Sequence, residues 1–208
     1  MEGQWIAGVD EVGRGALFGP VVAAAVILPP TVLDELTQAG VKDSKQLSSA
    51  KRIELSGLIR SVAIDAKIGM ASVQEIDRIN ILQASLLAMK RAILRLSPQP
   101  ALCLIDGNQL IPGLGLSQQA ITKGDQSSIQ IAAASILAKV WRDTLVIRLD
   151  RRYSGYDLAS NKGYGSTKHR VAIANLGITR QHRRSFKACQ SQCVDTTSRT
   201  NQLPLSLS

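Results

Sequence analysis

The distribution of apolar and polar positions predicts short buried strands that alternate with amphipathic helices. Apolar runs bounded by glycine, proline or acidic residues predict strands over 5–10, 21–28, 62–70, 101–105 and 120–122. Apolar residues at helical spacing predict helices over 48–59, 73–80, 81–96, 126–152 and 167–175. Thr167 is expected to be the N-cap of the last of these helices. This order of elements predicts an α/β fold, with a mixed β-sheet flanked by helices, a helical C-terminal region and the first two strands as antiparallel neighbours.

The length of 208 residues favours a single domain, which we expect to span residues 1–187. Residues 188–208 are rich in Ser, Thr and Gln and lack periodicity, which predicts a disordered tail. The longest apolar run, 21–28, is far shorter than the roughly 20 residues that span a bilayer, so no membrane association is expected. Three cysteines without a C-x-x-C pair indicate a reducing compartment. We therefore expect a cytoplasmic protein that acts as a monomer.

Positive charge is concentrated in one part of the chain. Lys and Arg number 25 against 16 acidic residues, a net charge of +9. Residues 139–187 contain 12 Lys/Arg and 3 acids, so this stretch carries the whole surplus, and it also contains all 3 tyrosines. A basic stretch with interspersed aromatic residues is typical of a nucleic-acid-binding surface, although a basic composition can also serve solubility alone.

Adjacent carboxylates follow the first predicted strand. Asp10 and Glu11 end the apolar run and precede the turn formed by Gly13, Arg14 and Gly15. Two neighbouring carboxylates at a buried strand end are stabilised by a divalent cation, and glycines allow close approach of a sugar-phosphate chain. The alternative interpretation is a solvated strand end.

Two further acids have similar settings. Asp106 ends an apolar strand directly before a glycine, although an Asp-Gly hairpin turn would have the same letters. Asp125 stands at the start of the long predicted helix, where it could simply cap the helix. Along this helix Ser135, Lys139 and Arg142 are spaced so as to form a polar stripe with Ser128.

Four acids without Cys/His zinc spacing favour Mg²⁺ or Mn²⁺, which prefer oxygen ligands. Two such ions are the usual apparatus for phosphodiester hydrolysis. The sequence therefore predicts a metal-dependent nuclease. A non-catalytic nucleic-acid-binding module, and a nuclease of the same fold that ignores the 2′-hydroxyl, remain as alternatives.

Six blocks, in order along residues 5–187, carry a resemblance to a known family. They are Gly8-Val9-Asp10-Glu11-Val12-Gly13-Arg14-Gly15, Lys42-Asp43-Ser44-Lys45-Gln46-Leu47, Leu104-Ile105-Asp106-Gly107-Asn108, Lys123-Gly124-Asp125, Ala133-Ala134-Ser135-Ile136-Leu137-Ala138-Lys139 and Gly163-Tyr164-Gly165-Ser166-Thr167-Lys168-His169. Together they resemble bacterial ribonuclease HII. No clamp-binding motif is recognisable in the tail, so a sliding-clamp partner is not expected.

The resemblance implies a ribonuclease H-like fold and endonucleolytic cleavage of the RNA strand of RNA/DNA hybrids. It also implies cleavage 5′ to single ribonucleotides embedded in duplex DNA, by two-metal hydrolysis giving 3′-hydroxyl and 5′-phosphate ends. By this resemblance Asp10, Glu11, Asp106 and Asp125 are the catalytic metal ligands. Gly13, Arg14 and Gly15 would read the 2′-hydroxyl and Tyr164 would stack on the next sugar. Lys45, Lys139, Arg142, Lys162 and Lys168 would either contact phosphates or support the residues that contact the substrate, and Ser135 completes the expected substrate-binding set.

Overall fold

A five-stranded β-sheet forms the centre of the protein in the computed structural model, which describes residues 5–42 and 44–190. The strand order is β3-β2-β1-β4-β5, with β1 (Ile6–Val12), β2 (Val21–Ile27), β3 (Asp65–Ala71), β4 (Leu102–Asp106) and β5 (Ser117–Ile121). β2 is antiparallel to both β1 and β3, whereas β4 is parallel to both β1 and β5. The predicted mixed sheet and the antiparallel pairing of the first two strands are confirmed.

Helices cover both faces of the sheet. They are α1 (Leu33–Gln38), α2 (Ser49–Val62), α3 (Val73–Ile93), α4 (Gly124–Ser127), α5 (Ile129–Asp150), α6 (Leu158–Asn161), α7 (Thr167–Leu176) and α8 (Lys187–Gln190). α3 packs on one face, and α2 and α5 pack on the other. β2 is buried along its whole length, because helices of both layers cover it. Helix α1 was not predicted.

Three helix boundaries are set by polar residues that accept hydrogen bonds from backbone amides. The spacing of apolar residues predicted these boundaries only in part. The predicted junction at residue 80 is confirmed as a kink in α3, where Asn80 has φ +65° and accepts hydrogen bonds from Leu82 N and Gln83 N. The predicted continuous helix 126–152 is wrong, since extended Ser128 separates α4 from α5 and caps α5 by accepting from Ile131 N. Ser166, not Thr167, caps α7, because the Ser166 hydroxyl accepts from His169 N.

The chain after α7 packs against the domain. The prediction of a tail from residue 188 is wrong for residues 188–190, because α8 buries Cys189 in an apolar cluster with Phe18 and Ile173. Residues 191–208, and with them the prediction about a clamp-binding motif, lie outside the described residues. Within the described ranges, none of the helices combines the length and apolar character needed to cross a membrane.

Helix α5 approaches β1 through a glycine. A Cβ atom on Gly8 would lie 2.1 Å from the backbone carbon of Gln130 and 2.2 Å from its carbonyl oxygen. A helix backbone can lie this close to a strand only where the strand carries no side chain. Gly8 therefore sets the distance between β1, which carries Asp10, and α5, which carries Ser135.

Substitution of Gly8 by Ala should lower the free energy of unfolding by at least about 2 kcal/mol, because the methyl group overlaps helix backbone that cannot rotate away. The matched control is Gly57→Ala in α2, where a Cβ meets nothing within 4 Å. That variant should gain about 0.5 to 1 kcal/mol from helix propensity. Urea denaturation of both variants measures the two effects, and a Gly8→Ala protein as stable as the wild type would contradict the close approach.

Candidate active site

The pairing of β1 with β4 brings two of the predicted acids to the same edge of the sheet. The strands are parallel with Val9 opposite Ile105, so Asp10 and Asp106 follow at equivalent positions. Since side chains alternate along a strand, both acids lie on the face that carries Gly8 and is covered by α5. The hairpin alternative for Asp106 is wrong, because β4 and β5 are parallel.

The acids open into a cleft of about 270 Å³ that we call the acidic cleft. Its lining residues come from β1, the following turn, the segment before α2, the end of β4, helix α5 and the segment before α7: Asp10, Glu11, Val12, Gly13, Arg14, Gly15, Ser44, Lys45, Asp106, Ser135, Lys139 and Tyr164. Ten of the fourteen predicted site residues are among them. A larger groove, about 880 Å³, lies along edge strand β3 and contains none of the predicted residues, so we place the site in the acidic cleft.

Asp10 is the most constrained of these acids. Its side chain is only 5% exposed, and its Oδ1 accepts a hydrogen bond from Glu11 N at 2.7 Å. Burial raises the pKa of Asp10 well above its usual range, and the charges of Glu11 and Asp106 raise it further, while a hydrogen bond with Ser135 opposes the shift. Burial also raises the pKa of Glu11, against the effect of Arg14, whose Nη1 donates to Glu11 Oε1 at 3.1 Å. The cleft floor thus holds carboxylates that disfavour each other's charge.

Asp106 and Asp125 are linked through the start of α4. Gly124 N donates to Asp106 Oδ1 at 2.7 Å, and the neighbouring Asp125 is buried. Lys45 Nζ donates to Asp125 Oδ2 at 3.3 Å, which connects Asp125 to the rim of the cleft. The capping alternative for Asp125 is wrong: Asp125 lies inside α4, and Ser128 caps α5.

Two residues that the sequence argument did not select complete the α5 side of the cleft. Ser44 is buried and its hydroxyl lies 2.8 Å from that of Ser135. Asp143 holds Lys139, with Lys139 Nζ 2.7 Å from both carboxylate oxygens. Burial lowers the pKa of Lys139, and Asp143 opposes this shift. The i, i+4 spacing of Lys139 and Asp143 was a usable signal for the ion pair, whereas the contact between Ser44 and Ser135 spans 91 residues and had none.

The turn of residues 13–15, which we call the glycine turn, rests on Arg142. Gly13 has φ +91°, and a Cβ there would lie 2.1 Å from Arg142 Nε. Both its backbone conformation and this contact require glycine. Arg14 and Gly15 are exposed at the rim.

Arg142 itself is not at the surface. Its side chain is completely buried, and its Nε, Nη1 and Nη2 donate to the carbonyl oxygens of Pro20, Lys162 and Phe18 at 2.9 to 3.0 Å. Its hydrogen-bonding groups are turned to the backbone, so of the two roles expected for Arg142 the geometry favours support of neighbouring site residues over direct contact with a phosphate. Arg142 instead ties the segment after the glycine turn to the segment that carries Tyr164.

Tyr164 lines the acidic cleft next to the glycine turn. Its ring centroid lies 5.9 Å from Lys139 Nζ and 5.5 Å from Arg142 Cζ, within the range of cation–π attraction. The backbone of Tyr164 pairs with Ala16 as an isolated antiparallel bridge. The ring is therefore held beside the glycine turn.

The other two predicted lysines do not line the acidic cleft. The Lys162 ammonium donates to the Ala159 carbonyl, and Lys168 is exposed on the first turn of α7. The structure therefore brings neither ammonium group together with the carboxylates.

The carboxylates of the site can be compared with the ligands that a divalent cation requires. Among the residues that the structure describes, no three His, Cys, Asp or Glu side chains are grouped as an ion would require. Glu11, Asp106 and Asp125 each accept a hydrogen bond from another group of the protein through one carboxylate oxygen. Nevertheless, the available ligands are all oxygen atoms, and Asp10 and Glu11 are desolvated carboxylates with raised pKa values. These properties suit Mg²⁺ or Mn²⁺.

A family model described as Ribonuclease HII matches residues 7–189. The chain belongs to the ribonuclease HII family. The Ribonuclease HII of Acaryochloris marina is 65% identical over 189 residues, which cover 91% of this chain and 96% of the relative. Membership makes the protein a metal-dependent endonuclease of ribonuclease H type 2, and excludes the non-catalytic module.

Solved structures agree on the fold. The ribonuclease HII in a PCNA:RNase HII complex from Archaeoglobus fulgidus has a TM-score of 0.72 and 31% identity, over 86% of this chain and 91% of that chain. A Bst-RNase HIII determined in complex with Mn²⁺ has a TM-score of 0.74 over 91% of this chain and 69% of that chain, and at 18% identity it shows the fold alone. The predicted ribonuclease H-like fold is confirmed.

Asp10→Asn should make the metal-free protein more stable, by about 1 to 2 kcal/mol at pH 7.5, although most substitutions at buried sites destabilise. The folded wild type binds the Asp10 proton more tightly than the unfolded chain, so its metal-free stability falls as pH rises through the raised pKa, and the variant lacks this component.

Urea denaturation in EDTA across pH values measures the effect, with Asp34→Asn on exposed α1 as the control that should not gain stability. Added Mn²⁺ should raise the melting temperature of the wild type more than that of Asp10→Asn. A destabilised Asp10→Asn protein would contradict the electrostatic argument.

Proposed function

We propose that this protein cleaves duplex DNA on the 5′ side of single embedded ribonucleotides, and also cleaves the RNA strand of RNA/DNA hybrids. The observation that carries the proposal is the layout of the acidic cleft. Carboxylates line it, and the glycine turn and Tyr164 lie next to each other at its rim. Such a site can test a sugar and hydrolyse the neighbouring phosphodiester at the same time.

Asp10, Glu11, Asp106 and Asp125 are the proposed ligands of the divalent cations, Mg²⁺ or Mn²⁺. When bound, two such cations neutralise the scissile phosphodiester, activate the attacking water and stabilise the leaving oxygen. The four carboxylates supply hard oxygen ligands, and three of them line the acidic cleft. Asp125 is connected to the cleft through Lys45.

The reaction is a hydrolysis in which water oxygen bonds to phosphorus and the bond from phosphorus to the 3′ oxygen breaks. The upstream deoxynucleotide keeps a 3′-hydroxyl, and the ribonucleotide keeps a 5′-phosphate. Arg14, Lys45 and Lys139 on the cleft rim offer positive charge to the flanking phosphates.

Recognition of the ribose is assigned to the glycine turn and Tyr164. A glycine turn brings backbone groups against a sugar without an intervening side chain, and a 2′-hydroxyl both donates and accepts hydrogen bonds. An aromatic ring can stack on the sugar of the next deoxynucleotide, for which Tyr164 is half-buried and supported by Lys139 and Arg142. Together these contacts would distinguish a junction between RNA and DNA.

A duplex with one ribonucleotide should be cut once, on the 5′ side, in the presence of Mg²⁺ or Mn²⁺, and left intact in EDTA. Sizing of the end-labelled strand and chemical analysis of its new ends measure both points. Asp125→Asn should lose at least about a hundredfold in kcat, because a fixed charge at the reacting centre is removed, whereas Asp34→Asn should be unaffected. Equal cleavage of an all-DNA duplex, or cleavage in EDTA, would contradict the proposal.

Tyr164→Ala should reduce kcat/KM at the embedded ribonucleotide by roughly 1 to 3 kcal/mol, the range for a lost stacking contact. Tyr164→Phe retains the ring and should stay near the wild-type rate. Steady-state kinetics on the single-ribonucleotide duplex separates the two variants. An unchanged rate in Tyr164→Ala would remove this side chain from the recognition site.

A further inference from the structure

The segment after α7, residues 179–183, pairs with residues 17–19, which follow the glycine turn. Gly19 N donates to Gln181 O at 2.8 Å, and Arg183 N donates to Leu17 O at 2.9 Å. Phe18 pairs with His182 as an isolated antiparallel bridge. Residues 16–19 therefore lie between this segment and the backbone of Tyr164, which bridges Ala16.

Arg183 holds the chain that follows the glycine turn at two points. Its side chain is completely buried, with Nε donating to Gly19 O at 3.0 Å and Nη1 donating to Arg14 O at 2.8 Å. The two carbonyl groups are five residues apart, so a single rigid guanidinium fixes both ends of the loop. The Arg14 carbonyl belongs to the glycine turn itself.

This arrangement destabilises the folded state. Within the described residues, Arg183 Nη2 is buried without a hydrogen-bond partner, a situation that costs about 1 to 3 kcal/mol. Burial, together with the charge of Arg142, lowers the pKa of the guanidinium to about 9. A buried cation whose hydrogen bonds go to backbone carbonyl groups is poorly explained by stability, but it is well suited to fixing the position of a loop.

The adjacent residue, His182, reaches the backbone of Tyr164 through a second histidine, His169. Thr179 N–H can only donate, so His182 Nδ1, at 2.9 Å, accepts and the proton lies on Nε2. That proton points to His169 Nε2 at 3.2 Å, and His169 Nδ1–H then donates to Tyr164 O at 2.9 Å. The hydrogen bonds run in one direction with both rings neutral.

Consecutive side chains therefore support the two elements that the proposed function assigns to sugar recognition. We propose that His182 and Arg183 are positioning residues that fix the glycine turn relative to Tyr164, and that this fixed spacing sets the preference for a single ribonucleotide over a long RNA/DNA hybrid. The inference rests on the proposed function. At an isolated ribonucleotide both contacts must be made at one step of the duplex, whereas a long hybrid offers a 2′-hydroxyl at every step.

The test compares kcat/KM on two duplexes of the same base sequence, one with a single ribonucleotide and one with a complete RNA strand. Arg183→Lys retains the charge but cannot span Gly19 O and Arg14 O as a fork. His182→Asn retains an acceptor for Thr179 N but cannot reach His169. Each variant should lower the ratio of single-ribonucleotide to hybrid cleavage by about tenfold to a hundredfold, as expected for a small misplacement of a recognition element.

Two matched variants control for general destabilisation. Arg184→Lys changes the exposed neighbour of Arg183 in the same way. Tyr156→Phe removes the hydrogen bond to Gly177 O, from a ring that packs 4.9 Å from that of His182, without touching the histidine pair. Both controls should keep the wild-type ratio.

A double-mutant cycle tests whether Arg183 changes the cleavage ratio through the contact made by Tyr164. Tyr164→Ala should lower the ratio less in the Arg183→Lys background than in the wild type, because the contact that it removes is already misplaced. Additive losses would overturn the proposal, as would an unchanged ratio, equal losses on both duplexes, or variants unfolded at 25 °C by circular dichroism. A wild type that does not cut at the embedded ribonucleotide would instead refute the proposed function.

Discussion

Burial of the Asp10 carboxylate is the constraint around which the site is arranged. Gly8 brings α5 close to β1, and this contact excludes water from the strand end where Asp10 stands. A carboxylate in that position is stable as an ion only with hydrogen-bond donors or positive charge nearby. The protein supplies one amide and the Ser135 hydroxyl, and adds the charges of Glu11 and Asp106, which act in the opposite sense. This imbalance is the physical reason why a divalent cation suits the cleft.

Buried guanidinium groups fix the loop that follows the glycine turn. Arg142 and Arg183 approach residues 14–20 from different elements, and the five hydrogen bonds that their guanidinium groups donate within the described residues all go to backbone carbonyl oxygens. A loop held through its carbonyl groups keeps its shape regardless of its side chains. Gly13 can therefore lack a side chain, as its contact with Arg142 demands, without making the turn loose.

Much of the site could be read from the sequence because it depends on local patterns. Asp10 and Asp106 end apolar strands, and the parallel pairing of those strands is sufficient to bring them together. For Arg142 the sequence could give a place on the polar stripe of α5, but helical spacing does not say whether that stripe faces solvent or another segment, so its backbone partners could not be predicted. Ser44 and His182 were beyond reach for a different reason: each acts through a partner distant in sequence, Ser135 and His169 respectively, and only the fold brings them together.

The count of charged residues also could not show which side chains face solvent. The basic stretch that suggested a nucleic-acid surface includes Arg142 and Arg183, which are buried, and Lys139, which is paired with Asp143. The two arginines stabilise backbone positions, so their part of the surplus is not exposed to a ligand, while Lys139 lines the acidic cleft with its charge shared with Asp143.

The difference between exposed and buried cations affects how the cleft can select its substrate. Exposed cations attract any phosphate chain and are screened by salt, whereas fixed backbone groups select by shape with little reorganisation. Under the proposed function, exposed cations at the rim, such as Lys45, would supply attraction, while the buried arginines would hold the turn that selects the sugar. Affinity and sugar specificity would then depend on different groups of the protein.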